Sequence, residues 1–341
     1  MKHTIWSAVR GFNYQPGIGS SSYENWVYFD ADTVKKELEN GKKHFPQINT
    51  IRLWLSYDAF LQNNDAFMQN LHTLVNLCRE LNLCTVLCLF NRWHNTFCDN
   101  DGLYTDHFIE GTPAFLGEQF YPYVDAVLNA FGGDDNVLLW DLCNEPFAYS
   151  KPIGELWAIA QGELAFLQRL AARVQSHAPQ APVGISLSGH DWQHACELVE
   201  PFTDVLLIHP YLMSFADEVQ AAQEQTTFLQ ELDRQLAFAK AKNKPLLVTE
   251  TCWGSVDDRR RCENMCWNLS ALHGRNLGFL AHALSYSPVA DLHGPCDGPL
   301  LADLGVFHFV EKDGALRAGH DLFNAYCDVA PCQKACEKGE L

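Results

Sequence analysis

The sequence predicts an α/β fold, a single closed (β/α)8 TIM barrel, from three observations. Short apolar runs alternate with longer amphipathic ones, the apolar runs number eight, and a helical pattern closes the series. No low-complexity tract, repeat or Pro/Ser-rich linker divides the chain, so residues 1–341 are expected to form one domain. A doubly wound open sheet is the structural alternative. It usually carries a Gly-rich phosphate loop after its first strand, and Gly11-Phe12-Asn13-Tyr14-Gln15-Pro16-Gly17-Ile18-Gly19 does not fit that pattern.

In chain order, the expected strands are 11–13, 50–55, 84–90, 137–143, 183–187, 205–208, 246–249 and 278–283. Between them lie helical patterns at 66–81, 155–176, 227–242 and 259–273, with a last one at 318–327. In the first of these, Phe67, Leu71, Leu74, Val75 and Cys78 fall on one face. The fourth strand is the plainest. Val137-Leu138-Leu139-Trp140 follows Gly132-Gly133-Asp134-Asp135 and suits a strand buried on both faces. Pro146 cannot donate to a sheet ladder, so the strand stops there and leaves Glu145 at its carboxyl end. Pro245-Leu246-Leu247-Val248-Thr249-Glu250 repeats the arrangement: an apolar strand that finishes on a carboxylate.

Composition bounds the partners. Lys and Arg total 24 against 42 Asp and Glu, a formal charge of -18, which repels phosphate backbones and anionic lipid. Neither nucleic acid nor membrane is expected as a partner; neutral sugars meet no such barrier. Met1 to Arg10 lacks the apolar core of a signal peptide, and no stretch reaches the roughly eighteen apolar residues of a membrane span. The 13 cysteines are odd in number, and Cys84, Cys88 and Cys143 fall inside expected strands. Free thiols in a reducing cytoplasm explain this better than a disulfide framework, so a cytoplasmic location is expected.

In a barrel the carboxyl ends of all strands converge on one face, so Glu145 and Glu250 would face each other from strands four and seven. Two such carboxylates suit acid/base and nucleophilic work on a glycosidic bond. A retaining mechanism wants them about 5–5.5 Å apart, one protonated and one ionised. A neighbouring anion and an apolar wall would disfavour charge on Glu145. The bland alternative is a structural ion-pair network in which Arg52 is the partner.

Strand four ending Asn144-Glu145-Pro146 and strand seven ending Thr249-Glu250 resemble the retaining glycoside hydrolases of clan A, closest to family 5, the cellulase and β-mannanase family. Other strand ends agree in order: Gly11-Phe12-Asn13, Arg52 within Ile51-Arg52-Leu53-Trp54, His94 after strand three, and His209-Pro210-Tyr211. The resemblance implies Glu145 as acid/base, Glu250 as nucleophile and Asn144 as the contact to the sugar 2-hydroxyl. Arg52 would hold Glu250 ionised, Tyr211 would hydrogen-bond it, and His209 and His94 would line the pocket. Where the family places a tryptophan at the end of strand eight, the chain has His282 or Tyr286 to stand in.

Trp93 and Trp253 are the favoured aromatic contacts to a sugar face, with Trp54 and Trp192 behind them. Trp6, Trp140 and Trp157 look like packing, and Asp141 like a satisfied structural group. No metal is expected. The 14 histidines include no H-E-x-x-H, Cys-x-x-Cys or early His-x-His, while Cys262/Cys266 and Cys332/Cys336 have helix spacing. Asn268-Leu269-Ser270 lies in a helical pattern and carries no weight as a glycosylation site. No cofactor is implied. The expected activity is a retaining β-glycoside hydrolase on short oligosaccharides or glycosides, with exo-acting β-mannosidase or β-glucosidase favoured. The alternatives are an endo-acting cellulase or β-mannanase, a transglycosylase, and a carbohydrate-binding barrel that lost turnover. The oligomeric state is left open.

Overall fold

The computed structural model describes residues 6–93, 102–150, 157–188, 192–212, 218–291 and 305–328. Eight strands, β1 (Arg10–Tyr14), β2 (Thr50–Trp54), β3 (Cys84–Asn91), β4 (Val137–Asn144), β5 (Val183–Ser188), β6 (Val205–His209), β7 (Leu246–Val248) and β8 (Phe279–Ala281), form a closed parallel barrel in sequence order. Closure runs through Arg10↔Phe279, Gly11↔Leu280 and Phe12↔Ala281. Every strand lies where the sequence put it, with ends moved by at most two residues.

The helices among the described residues are α1 (Ser22–Val27), α2 (Ala31–His44), α3 (Tyr57–Gln62), α4 (Asn64–Glu80), α5 (Tyr121–Phe131), α6 (Trp157–Ser176), α7 (Trp192–Val199), α8 (Glu218–Lys242) and α9 (Asp258–His273). Of these, α4, α6 and α9 match the sequence pattern, and α8 begins nine residues before the expected 227–242. Helix α2 escapes it because its face is thin: only Val34, Leu38 and Gly41 are buried. Its start is set by Asp30, whose carboxylate accepts from Thr33 N at 3.0 Å. The last expected helix, 318–327, is instead a 3-10 helix (His320–Tyr326) entered through Gly319 at φ 75°. Its Phe323 stacks on Phe12 at 4.4 Å and packs against Phe45 and Phe309, covering the outside of β1 where another helix would sit.

Alternation along the strands sorts side chains into two cores. Outward residues such as Phe12, Leu53, Leu87, Trp140 and Ile208 join the large cluster beneath the helices. A smaller cluster, Val9, Val86, Leu139, Val205, Leu207, Leu247 and Leu280, forms the other core, the apolar floor of the barrel. Toward the carboxyl ends of the strands the floor gives way to Asn13, Arg52, Asp141 and Ser186, all buried and polar. Gly11 allows the narrow closure, since a Cβ there would lie 1.7 Å from the Thr50 carbonyl oxygen.

Candidate active site

The polar layer is built around Arg52. Its Nε donates to Asp141 Oδ2 at 2.9 Å, and Nη1 donates to Asn13 Oδ1 at 2.9 Å and Glu250 Oε1 at 2.6 Å. Nη2 donates to Asn144 Oδ1 at 2.6 Å and Ser186 Oγ at 3.0 Å. The guanidinium is fully buried and lies 4.4 Å over the Trp54 ring. Burial works against its charge, but the facing anions, Asp141 first among them, outweigh it and raise its pKa. Asp141 accepts from Arg52, from Ser186 N at 3.1 Å and from the Ser186 hydroxyl, so it is the satisfied structural group expected.

Glu250 is held from both sides. Arg52 takes Oε1, and the Tyr211 hydroxyl donates to Oε2 at 2.8 Å. Burial pushes its carboxyl up; the His209 imidazole, the Arg52 guanidinium, His282 and the Tyr211 bond together overcome that and bring it down to about 2. Burial, and then the charges of Glu250 and Glu145, raise the Tyr211 phenol well above its ordinary value and keep it a donor.

Glu145 meets this group through His209, whose Nδ1 lies 2.7 Å from Glu145 Oε1 and 3.7 Å from Glu250 Oε2. The other ring nitrogen lies 3.0 Å from Thr249 Oγ1, and the Nδ1–H is placed to donate to Glu145. One donor atom each from Glu145, His209 and Glu250 lie within 4.8 Å of one another; among the described residues this is the one grouping that could share a cation. Asn144 accepts from Arg52 and donates from Nδ2 to Asn91 Oδ1 at 2.9 Å, which sets the direction of its amide.

The backbone is strained at both carboxylate-bearing turns. Besides Ala178 and three asparagines, which tolerate left-handed conformations, the non-glycine residues at positive φ are Glu145 (47°), Phe147 (66°) and Cys252 (72°). Each lies within two residues of Glu145 or Glu250, and strain at about 1–2 kcal/mol per residue persists where surrounding structure enforces it. Arg261 of α9 enforces part of it. This buried guanidinium donates to the carbonyls of Cys252, Trp253 (2.7 Å), His282 (2.7 Å) and Phe307 (2.8 Å), tying the β7 and β8 turns together.

The structure thus brings Arg52, Asn144, Glu145, His209, Tyr211 and Glu250 into one bonded group. Of the two candidates after β8, His282 turns toward it. Its ring packs edge-on to Trp54 at 6.0 Å and to Phe307 at 5.1 Å, and its peptide bond to Ala283 is cis. Burial lowers the His282 pKa, and its Nδ1 is buried without a hydrogen-bond partner. Tyr286 turns elsewhere, toward His308 at 5.5 Å and Lys312 at 5.1 Å. Trp253 is wedged between Tyr211 and Phe307 at 5.3 Å from each, its indole N–H buried and unpartnered. Trp93 stands 38% exposed two residues beyond β3. Trp192 is core, packed on Phe238 at 5.5 Å, and His94 lies outside the described residues. The sequence offered no signal for Asn91 or Ser186, because short polar residues inside apolar strands are common; Asn13 and Thr249 stood in the strand-end motifs without a role.

The closed barrel with paired carboxylates at its mouth is the architecture of the glycosyl hydrolase class. The family model Cellulase (glycosyl hydrolase family 5) matches residues 18–287, and the chain belongs to that family. Similar solved structures include an exo-beta-1,4-mannosidase from Opitutaceae bacterium strain TAV5, at TM-score 0.70 and 18% identity over 95% of this chain and 60% of that one. A beta-glucuronidase from Bacteroides uniformis follows at 0.66 and 14%, covering 94% and 35%. A family 5 mannosidase from Rhizomucor miehei stands at 0.60 and 14%, covering 94% and 92%. At these identities the likeness is one of fold. The chain spans only 60% of the length of the first and 35% of the second. No curated protein matches it.

Proposed function

We propose that the protein is an exo-acting β-glycosidase, with β-mannosides and then β-glucosides as its first substrates, working through Glu145 and Glu250. The observation that carries this is the spacing: the nearest donor atoms of the two carboxylates lie within 4.8 Å, near the roughly 5–5.5 Å that suits direct attack and short of the roughly 6.5–9.5 Å that seats an attacking water beside the sugar. Glu250 attacks the anomeric carbon and forms an ester bond to it. The glycosidic bond breaks, and its electron pair leaves on the aglycone oxygen, which takes the proton of Glu145. The Glu145 carboxylate then takes a proton from water, whose oxygen displaces Glu250 from the sugar. Arg52 and Tyr211 hold the nucleophile ionised and turned, and Asn144, fixed by Arg52 and Asn91, offers its remaining amide proton to the sugar 2-hydroxyl. His209, Trp253 and His282 line the pocket, with Trp93 at its rim. A histidine where the family has tryptophan offers a hydrogen bond to a hydroxyl in place of a stacking face.

Chain-end action draws support from the long connections after β3 and β8, which leave the barrel at the same mouth as Glu145 and Glu250. Mannosides stand first because two of the similar barrels are mannosidases. A cytoplasmic site of action belongs to this proposal, and seven buried free cysteines among the described residues favour it. The test is a panel of aryl β-mannoside, glucoside, galactoside and xyloside with wild type and Glu250→Gln. Turnover of mannoside or glucoside, with kcat at least about 10³-fold lower in the variant, is expected. Undiminished turnover by Glu250→Gln would dispose of the assignment. Cleavage of internal bonds without preference for chain ends would replace the exo reading with the endo one.

A further inference from the structure

We propose that Glu163 of α6 is a positioning residue that sets Glu145 for proton transfer, through a buried bond to the backbone two residues beyond it. This rests on the role given to Glu145 above. The turn after β4 has few backbone anchors. Asn144 O accepts from Arg92 N at 2.9 Å, and Glu145 N donates to Ser186 O at 2.9 Å. Pro146 has no N–H, so the next donor is the Phe147 amide, and it goes to Glu163 Oε2 at 2.6 Å. Glu163 Oε1 takes Arg92 Nε at 2.9 Å and the Ser150 hydroxyl at 2.7 Å. Both charged side chains are buried, at 2% and 1% exposure. Arg92 in turn donates to Leu103 O and Thr105 Oγ1, each at 3.0 Å, so one ion pair binds the β3 and β4 connections to α6.

The bond falls where the chain needs it. Glu145 and Phe147 both hold left-handed φ values that an unrestrained turn would leave. Helix α6 comes close enough because Gly162 presents no Cβ; one there would lie 2.7 Å from the Phe108 carbonyl. Replacing the carboxylate by an amide breaks this arrangement selectively. Arg92 and Ser150 need an oxygen on one side, so the amide NH2 must face the Phe147 N–H, donor against donor. The turn then relaxes and the Glu145 carboxyl moves off the line to the leaving oxygen.

A displaced proton donor has a signature that a general loss of order lacks. It slows substrates whose leaving group needs protonation and spares those whose leaving group does not. The experiment measures kcat/KM on dinitrophenyl and phenyl β-glycosides of whichever sugar the four-member panel turns over fastest. Wild type, Glu145→Ala, Glu163→Gln and Glu163→Asp are compared; the last keeps the charge opposite Arg92 but withdraws the oxygen from Phe147. Both Glu163 variants are expected to lose about 10- to 100-fold on the phenyl glycoside and less than about 3-fold on the dinitrophenyl one. Equal losses on the two substrates, or none, overturn the inference. If Glu145→Ala shows the leaving-group split and neither Glu163 variant does, the inference falls and the role of Glu145 stands. If Glu145→Ala shows no split, or wild type turns over none of the glycosides, the functional proposal falls and takes this one with it.

Discussion

Replacing Glu250 by Gln should change stability in a way that depends on pH and has a definite sign. The carboxyl is 7% exposed and held at about 2 against an ordinary 4.5, chiefly by His209 and Arg52 acting against burial. A depressed carboxyl contributes stability that is complete above the unfolded value and lost as pH falls toward the folded one. Integrating between those two values gives about 3 kcal/mol near pH 6 and about 1 kcal/mol near pH 3. Gln cannot ionise and so stands in for the protonated form at every pH. Urea unfolding of wild type and Glu250→Gln, followed by the fluorescence of the nine tryptophans, reads the difference directly. Wild type should be the more stable by about 3 kcal/mol near pH 6, and the gap should close by about 2 kcal/mol on the way to pH 3. A variant as stable as wild type or more so, or a gap that ignores pH, would show that desolvation outweighs the cations and that Glu250 is tolerated at a cost. Glu250 would then not be a permanently ionised nucleophile.

Two further outcomes follow from the same physics. Glu37 titrates the other way: burial, against the bonds from Tyr14 (2.6 Å) and Gly17 N (3.2 Å), raises it to about 7. Its contribution is complete below 4.5 and lost as pH rises through 7, so wild type should lose on the order of 2 kcal/mol relative to Glu37→Gln across that window, measured by urea unfolding. Arg52→Lys replaces a fork with five partners by a group with three donors, stranding at least two charge-assisted bonds. A loss of about 3–5 kcal/mol in stability, with kcat/KM down about 100-fold or more, is expected from denaturation and aryl glycoside assays. A change under about 1 kcal/mol would mean that the layer around Arg52 is not closed as described.

The strands were legible because their signal is local. An apolar run such as Val137 to Trp140, with glycines before it and proline after it, needs no distant partner to be recognised. Helix α4 was legible for the same reason, through the single face of Phe67, Leu71, Leu74, Val75 and Cys78. The two glutamates were legible because each stands at the end of such a run, and barrel geometry sends all strand ends to one mouth. The 3-10 form of His320–Tyr326 was not, since it is set by Phe323 fitting among rings from β1, the residue that ends α2 and the segment after β8.

What the chain's own pattern determined, then, was eight strands, their order, and the carboxylates at the ends of the fourth and seventh. The tertiary structure alone decided that His282 and not Tyr286 turns to the site, that Trp192 is core, and that Arg92 and Glu163 pair behind the β4 turn. The division has a physical cause. Strand periodicity is written in neighbours one or two residues apart. Hydrogen bonds such as Arg52 to Glu250, 198 residues away, exist only once closure and register have brought distant strands to the same height.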